Sequence, residues 1–477
     1  MVRIRVMKFG GSCLVDSAAF DQIYKITQLY QEEKLVFVAS AFKGITDRLI
    51  QVAKYADKKE ANNAMETLIQ IEEDHYTHVR GLFEESPEIH QKVKAQIRTL
   101  IGEIREILSE IYEFELQPYF LDYILSYGEK MSTFVLSEYL KMRGYETDHI
   151  QGEELIITNN KFNDALPDYE YTRNRMESRM YPRLNDPKNK TIFCVTGFVG
   201  RNKIGYTTTL GRGGSDFTAT IIARLLFELF EKHSPTVDEE TIKIILWKDV
   251  DGILSVNPKY VAHPTLIRRL DYHEAKEMAF YGAKILHPKC LDAIEKQGIH
   301  VELRNFDKPT ETEDFSVISR ETGPEQIKGI STIEDMAQIT VISGTLVNVP
   351  GILGKIFTIM GENEINVSMV AQSMSEVNTT FIVELKDMKK AIAALRADKM
   401  LEKWFDIKAE KIGIITITGD QVNNSQIKAR IFSAFAKSKT EIKSMAKSSD
   451  GINISFAVPQ SHVEQAVNGL SVEFSDY

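Results

Sequence analysis

An α/β fold with a mainly parallel sheet, carrying an all-helical insertion and followed by two copies of one strand-helix-strand-strand unit, is what the sequence predicts. Three observations carry that expectation. Short apolar runs alternate with helical patterns from Val6 to Asp307, helical spacing alone fills residues 60–125, and the last third matches itself after a shift of 75 positions. At 477 residues the chain is too long for one hydrophobic core.

The first apolar run, Arg3-Ile-Arg-Val-Met7, ends in Lys8-Phe-Gly-Gly-Ser-Cys13. Two glycines let backbone approach a ligand or take positive φ, and a helix starting near Asp16-Ser17 can aim free N–H groups at the same place. That suits an anion, although an ordinary strand-to-helix turn has the same composition. Val36–Ser40, Thr191–Thr196 and Ile242–Trp247 read as buried strands, each leading into Gly, Lys or Asp. Within the insertion, Ile97, Leu100, Ile101, Ile104, Ile107, Leu108 and Ile111 keep helical spacing, so they are core, and Ser86-Pro87-Glu88 reads as a helix start.

In the repeat, Ile339 falls on Ile414, Gly344 on Gly419, Ile356-Phe357 on Ile431-Phe432, Ala371 on Ala446, Ser373 on Ser448, Asn378 on Asn453 and Phe381 on Phe456. Strands are expected near 339–343, 367–372 and 379–385, with a helix across 352–362. Two copies are too few for a solenoid and suit a paired regulatory module. Arg320–Glu325, with its Gly-Pro pair, reads as the linker before it.

A net charge of −10 argues against nucleic acid or an anionic membrane as the main partner, so any phosphate site is local. Cys13, Cys194 and Cys290 are scattered and indicate neither a disulfide framework nor a zinc site. No apolar segment approaches the length of a membrane span. A reducing, cytoplasmic location is the expectation.

A second glycine cluster, Thr207-Thr-Thr-Leu-Gly-Arg-Gly-Gly-Ser-Asp216, precedes a helical pattern from Phe217 to Phe227. Arg212 offers a planar fork for a carboxylate or phosphate, and Ser215 and Asp216 are candidate helix caps. The dinucleotide fingerprint needs glycine where Asp216 stands, and no Gly-x4-Gly-Lys-Ser/Thr loop occurs. A third cluster is Trp247-Lys-Asp-Val-Asp-Gly-Ile253, with Asn257-Pro-Lys259 behind it and Lys284 further on. Lys248 and Asp249 leave a buried strand where open α/β sheets place their ligands. Lys8, Arg212, Lys248, Lys259 and Lys284 together can neutralise a polyphosphate.

These motifs, in order, resemble those of the aspartate kinases of the amino acid kinase family. Lys8–Cys13 is similar to the family's opening signature, Val38–Ala41 and Ile45–Asp47 to its early loop, Tyr127-Gly-Glu129 to its Phe-Gly-Glu segment, and Leu210–Asp216 to its Leu-Gly-Arg-Gly-Gly-Ser-Asp loop. Trp247–Leu254 matches the form common in plant and some bacterial members, and the repeat resembles tandem ACT units. The resemblance spans essentially the whole chain. It implies a three-layer amino-acid-kinase fold over residues 1–320 with the insertion at 60–125, then two ferredoxin-like ACT units at 335–405 and 410–477.

The activity implied is transfer of a phosphoryl group from ATP, with Mg2+ carried on the nucleotide and no protein metal site, to the side-chain carboxylate of L-aspartate. The product is L-aspartyl-4-phosphate, the first step toward lysine, threonine and methionine. Lys8 and Asp216 would be catalytic, with Asp216 orienting Lys8. Thr46, Glu129 and Arg212 would hold aspartate, helped by Gly213, Gly214 and Ser215, while Gly11, Ser12 and Ser40 would line the phosphate path. Lys8, Gly10, Lys248, Asp249, Lys259, Lys284 and Ile285 would contact ATP. Two departures bear on nucleotide affinity: Leu254 stands where many relatives carry tyrosine, and Lys259 where they often carry arginine. No Ser-His-Asp or Cys-His set stands out, as expected when the attacking carboxylate is already ionised.

Feedback regulation through the ACT units is implied, with assembly into a homodimer or homotetramer. Ser368 stands where lysine-inhibited relatives typically carry aspartate, and Gln372, Ser373 and Asn378 suit a small hydroxylated amino acid, which favours threonine over lysine as effector. Glu376 is an alternative source of the charge that lysine needs. Two other functions stay open: a kinase of the same fold acting on another substrate, such as glutamate or carbamate, and an amino-acid sensor with an inactive kinase region.

Overall fold

Ile4–Phe9 (β1) and Lys34–Ala39 (β2) are strands buried at every position. Such strands carry no apolar-polar alternation because both faces of a parallel sheet are covered. The computed structural model describes residues 2–233, 237–280, 286–310, 314–342, 351–372 and 378–474. They fall into two units, the first comprising Met1–Ile253, Arg268–Tyr272 and Leu286–Thr322.

In that unit β1 and β2 are joined by Thr147–Ile150 (β3), Ile192–Thr196 (β4), Ile242–Lys248 (β5), Arg269–Asp271 (β6), Val301–Asn305 (β7) and Ser316–Ser319 (β8). They form one sheet in the order β6-β8-β7-β5-β1-β2-β4-β3. Every neighbouring pair is parallel except β7 with β8. The chain order reverses at β1, which has β2 on one side and the much later β5 on the other, and this is where open sheets leave a crevice.

Helix Ser17–Leu29 (α1) is capped by Asp16, whose side chain accepts from the Ala19 N–H at 2.9 Å. Ile45–Asp57 (α2) follows β2. The insertion consists of Ala61–Leu82 (α3) and Pro87–Phe114 (α4), the latter opening on the expected proline. The stripe from Ile97 to Ile111 is buried in one core with Phe9, Phe20 and Phe37. Pro118–Met142 (α5) is buried on nearly every side from Ile124 to Leu140, as suits a helix wedged between the insertion and the sheet. Gly214–His233 (α6) leads toward β5.

The second unit comprises Leu254–Ile267, His273–Ile285 and Gly323–Tyr477. Its strands are Gly329–Ile342 (β9), Met369–Gln372 (β10), Asn378–Glu384 (β11), Asp406–Thr418 (β12), Ser444–Lys447 (β13) and Asn453–Pro459 (β14), and its main helices Ile352–Glu362 (α7), Met388–Ala397 (α8), Ser425–Lys437 (α9) and Val463–Glu473 (α10). The strands make one antiparallel sheet in the order β10-β11-β9-β12-β14-β13. Here the two repeats interleave. Met336–Ile342 of β9 pair with β11 and with the first half of β12, while Gly329–Ile333 pair with Ile414–Thr418 in its second half. A bulge between Ile333 and Met336, with Asp335 at φ 57°, separates the two halves.

The shift of 75 holds for α7 with α9 and for β11 with β14, where Ile356 and Ile431, and Phe381 and Phe456, occupy matching core positions. It fails for the first strand. Ile339 faces the helices in one repeat, and its counterpart in the other is Ile415; Ile414 instead joins Met336, Met369 and Ile382 in a separate cluster. A one-residue slip exchanges the two faces of a strand, and two adjacent isoleucines hide that slip from the sequence. Gly344, Ser373 and Glu376 lie outside the described residues. Among the described residues no helix is long and apolar enough to cross a membrane.

This register makes Ile415 a core residue of the second repeat. Ile415→Ala is expected to destabilise the unit by about 2–5 kcal/mol in urea unfolding, whereas a loss below about 1 kcal/mol would place Ile415 on the wrong face.

Candidate functional site

The carboxyl ends of β1, β2, β4 and β5 lie side by side: Lys8 stands opposite Val38 and Leu246, and Phe9 opposite Ala39 and Trp247. Glycines keep this end thin. A Cβ on Gly10 would lie 3.3 Å from the Lys8 Nζ, one on Gly11 3.0 Å from the Ala41 carbonyl oxygen, and one on Gly197 2.8 Å from both the Ala39 oxygen and the Ser215 Cβ.

Lys8 points into the crevice and is 7% exposed. Its Nζ lies 2.8 Å from Asp216 Oδ1, and the Lys248 Nζ lies 3.1 Å from Asp216 Oδ2. One buried and one partly buried ammonium thus share one buried carboxylate. Burial works to raise the Asp216 carboxyl, but the two lysines outweigh it and hold it below the usual carboxylate range. Burial likewise works against the charge on Lys8, and Asp216 more than compensates, keeping it above its ordinary value. Lys248 is left lowered, by burial first and then by repulsion from Lys8. With one excess positive charge and little water, the cluster is built to receive an anion. The expectation that Ser215 and Asp216 cap a helix is corrected: α6 starts at Gly214, so both sit inside its first turn. Two lysines withdrawn from water, Lys8 fully and Lys248 in part, require a counter-charge more than the helix requires a cap.

Glu129 reaches the same end of the sheet from α5. Gly128 allows the approach, since a Cβ there would come within 2.8 Å of the Ala41 Cβ. Ser132, one turn on, donates from its hydroxyl to the Ser40 carbonyl oxygen at 2.7 Å. Glu129 is 4% exposed, and its Oε2 has no hydrogen-bond partner. Burial pushes its carboxyl up to about 8, against the opposing pull of the Ala41 backbone N–H and Lys8. A buried carboxylate with one oxygen unsatisfied is costly unless a cation completes it.

Thr46 lies half-buried in the first turn of α2, after Gly44 at φ 79°. Arg212 is exposed between Gly211 and Gly213, at φ 73° and 71°, and makes no hydrogen bond or ion pair with a described residue. Asp249 is exposed just past β5. Lys259 belongs to the second unit, where its Nζ pairs with Glu334 at 2.9 Å. Lys284 and Ile285 lie outside the described residues. Of the candidate effector residues, Ser368 donates its N–H to the Ile382 oxygen at 2.9 Å beside β10, Gln372 ends β10 opposite Thr379, and Asn378 opens β11 opposite Ile342; Ser373 is not described. Sequence reasoning missed Ser132 and Asp122, both buried polar residues on α5. Their signal was a carboxylate seven residues before Glu129 and a hydroxyl three after it, on one face of the helical pattern.

The chain matches the amino acid kinase family over residues 3–227 and 240–305, and the ACT domain over 339–398 and 415–474. Similar proteins include a bifunctional aspartokinase/homoserine dehydrogenase of Haemophilus influenzae, 28% identical over 97% of this chain and 56% of that one. Aspartokinase 1, chloroplastic, of Arabidopsis thaliana is 28% identical over 98% of this chain and 80% of that one. The chain therefore spans little more than half of the bifunctional relative. Among solved structures, E. coli aspartokinase III in complex with aspartate and ADP superposes with a TM-score of 0.79 at 24% identity, covering 99% of this chain and 100% of that one. Clostridium acetobutylicum aspartate kinase gives 0.73 at 21% identity over the full length of both. At these identities the likeness is one of fold.

The Glu129 environment sets a pH dependence. Its folded-state pKa, about 8, exceeds the ordinary 4.5, so between those values the folded chain binds more protons than the unfolded one and stability falls as pH rises. Glu129→Gln lacks this titration. In ligand-free thermal unfolding its advantage over the parent should grow from pH 5 to pH 8; a pH-independent difference would contradict the burial of Glu129.

Proposed function

The chain belongs to the amino acid kinase family, and from that premise we propose that it transfers the γ-phosphoryl group of ATP to the side-chain carboxylate of L-aspartate, giving L-aspartyl-4-phosphate and ADP. The observation that carries this reading is one crevice holding two complementary devices. The cationic cluster of Lys8, Lys248 and Asp216 suits phosphates, and Glu129, whose Oε2 has no hydrogen-bond partner, suits an ammonium. The names of the similar proteins support the choice of aspartate.

In this reading the amino-acid ammonium meets Glu129, Arg212 takes the α-carboxylate in a bidentate fork, and Thr46 flanks the side chain. The side-chain carboxylate is ionised at neutral pH and attacks phosphorus without a general base. Catalysis then rests on position and on charge. Lys8 neutralises the moving phosphoryl group, Asp216 fixes Lys8 and Lys248, and Gly10, Gly11, Ser12 and Ser40 leave room for the phosphates. Gly213, Gly214 and Ser215 hold Arg212 at the entrance to α6. Bound magnesium supplies further neutralisation on the phosphates. Since Asp216 is committed to two lysines, Asp249 is the carboxylate free to help hold it.

The ACT repeats extend the proposal to feedback control by an amino acid, threonine ahead of lysine because Ser368 cannot offset the desolvation of a buried ammonium. E. coli aspartokinase III has been solved in complex with lysine and aspartate, which makes lysine the effector to test against. Assembly through the repeats, where Val370 and Met445 are exposed, fits the same module.

Trapping acyl phosphate with hydroxylamine, after incubation with MgATP and a panel of amino acids, is expected to give product with L-aspartate alone. Product with glutamate instead, or with none, would support the other kinase or the inactive sensor. In the same assay threonine is expected to inhibit, and inhibition by lysine alone would reverse the reading of Ser368. Light scattering of that preparation should give a dimer or tetramer, and a monomer would contradict assembly through the repeats. Lys8→Ala should lower kcat at least about a hundredfold while changing ATP affinity far less; unchanged turnover would remove Lys8 from the mechanism.

A further inference from the structure

Seven residues before Glu129, two turns back on the same face of α5, stands Asp122, fully buried. Its Oδ2 accepts from the Thr209 N–H at 2.8 Å, its Oδ1 from the Thr209 hydroxyl at 2.8 Å, and both oxygens face the Asn163 N–H, at 2.9 and 3.1 Å. All these donors are neutral. Burial accordingly pushes the Asp122 carboxyl up, with the hydrogen bonds opposing. A carboxylate without a cation is an expensive way to hold backbone together, so what it holds matters.

It holds the two segments that flank Arg212. Asn163 sits in the left-handed region at φ 63°, which asparagine adopts more readily than other residues with a side chain. Thr209 ends the short strand just before Leu210-Gly211-Arg212. The segments are joined again where the Ala165 N–H donates to the Thr209 oxygen at 2.9 Å. Gly211 packs so closely that a Cβ would lie 2.9 Å from the Asn163 oxygen. Lys289 adds a hydrogen bond to the Leu210 oxygen. Arg212, flanked by glycines and without a side-chain partner among the described residues, is placed by backbone alone, by this segment on one side and by the turn into α6 on the other, where the Gly214 N–H donates to the Gly211 oxygen at 2.9 Å.

We infer that Asp122 is a positioning residue: one rigid helix carries Glu129 to the substrate ammonium and, through Asp122, fixes segment 207–211 and with it the Arg212 guanidinium that receives the substrate α-carboxylate. The inference rests on the aspartate reading of Glu129 and Arg212. It separates recognition of the amino acid from recognition of the nucleotide, because the Asp122 hydrogen bonds go to Asn163 and Thr209 and not to the cluster of Lys8, Asp216 and Lys248.

Steady-state kinetics of the full chain test it. Asp122→Asn, which keeps the shape but turns a donor toward other donors, should raise the aspartate KM about tenfold, with kcat and the ATP KM within about twofold. Thr209→Val should raise the aspartate KM by a smaller factor, and Thr209→Ser, which keeps the hydroxyl, should restore it; this pair carries the test if Asp122→Asn fails to fold. Arg212→Lys alone should raise the aspartate KM, and adding Asp122→Asn to it should cost less than about twofold more. Parallel rises in both KM values, a fall in kcat with an unchanged aspartate KM, or the full tenfold effect in the Arg212→Lys background would overturn the inference. An unchanged aspartate KM in Arg212→Lys alone would remove the carboxylate reading of Arg212 and this inference with it.

Discussion

Asp216 shared between Lys8 and Lys248 ties three elements that are far apart in sequence, the end of β1, the end of β5 and the first turn of α6. Ions this deeply buried persist only as a closed set, since any one of them alone would carry the full cost of desolvation. The surrounding architecture follows from that demand. The strands must end level, so that both ammoniums reach one carboxylate. The chain must reverse its order at β1, so that a strand from either half of the sequence flanks it. Gly197 must lack a side chain, because the Ser215 Cβ occupies the space that one would need.

Helix α5 meets a second demand. Cationic groups attract phosphate, but selecting an amino acid takes an anion in the same crevice, and an anion placed on a loop would be drawn to the lysines. Glu129 is carried instead on a helix buried on nearly every side. Its angle of approach is fixed by the contact at Gly128 and by the hydrogen bond from Ser132 to the Ser40 oxygen. Rigidity keeps the opposite charges in one crevice without letting them collapse onto each other.

Features with a local cause were legible in the sequence. Val36, Cys194 and Ile244 lie in uninterrupted apolar runs and became buried strands, Pro87 opened α4, and the glycines around Lys8 and Arg212 marked places of close backbone approach. What escaped depended on partners distant in sequence. Asp216 looks like a cap until Lys8 and Lys248 are brought beside it. Asp122 has no visible role until Thr209 and Asn163 arrive. Ile414 and Ile415 are interchangeable as letters, and only the sheet decides which one faces the helices. Interleaving was hidden for a related reason: the strand Gly329–Ile333 lies ahead of the first repeat and belongs to neither copy of the pattern.

That interleaving reaches beyond the folded state. Ile342 pairs with Asp406 and Met336 with Ile412, while Gly329 pairs with Thr418, so during synthesis the first repeat cannot close its sheet until residues 406–412 have been made, nor the second until Asn453–Pro459 have followed. Loop-closure entropy has to be overcome before these distant pairs contribute anything. Once they form, β9 and β12 belong to both repeats at once. The repeats are therefore not two beads on a string but a single cooperative folding unit. Fraying of β9 or β12 at one end is felt in the other repeat, and any duplication that produced the pattern had to be followed by an exchange of strands.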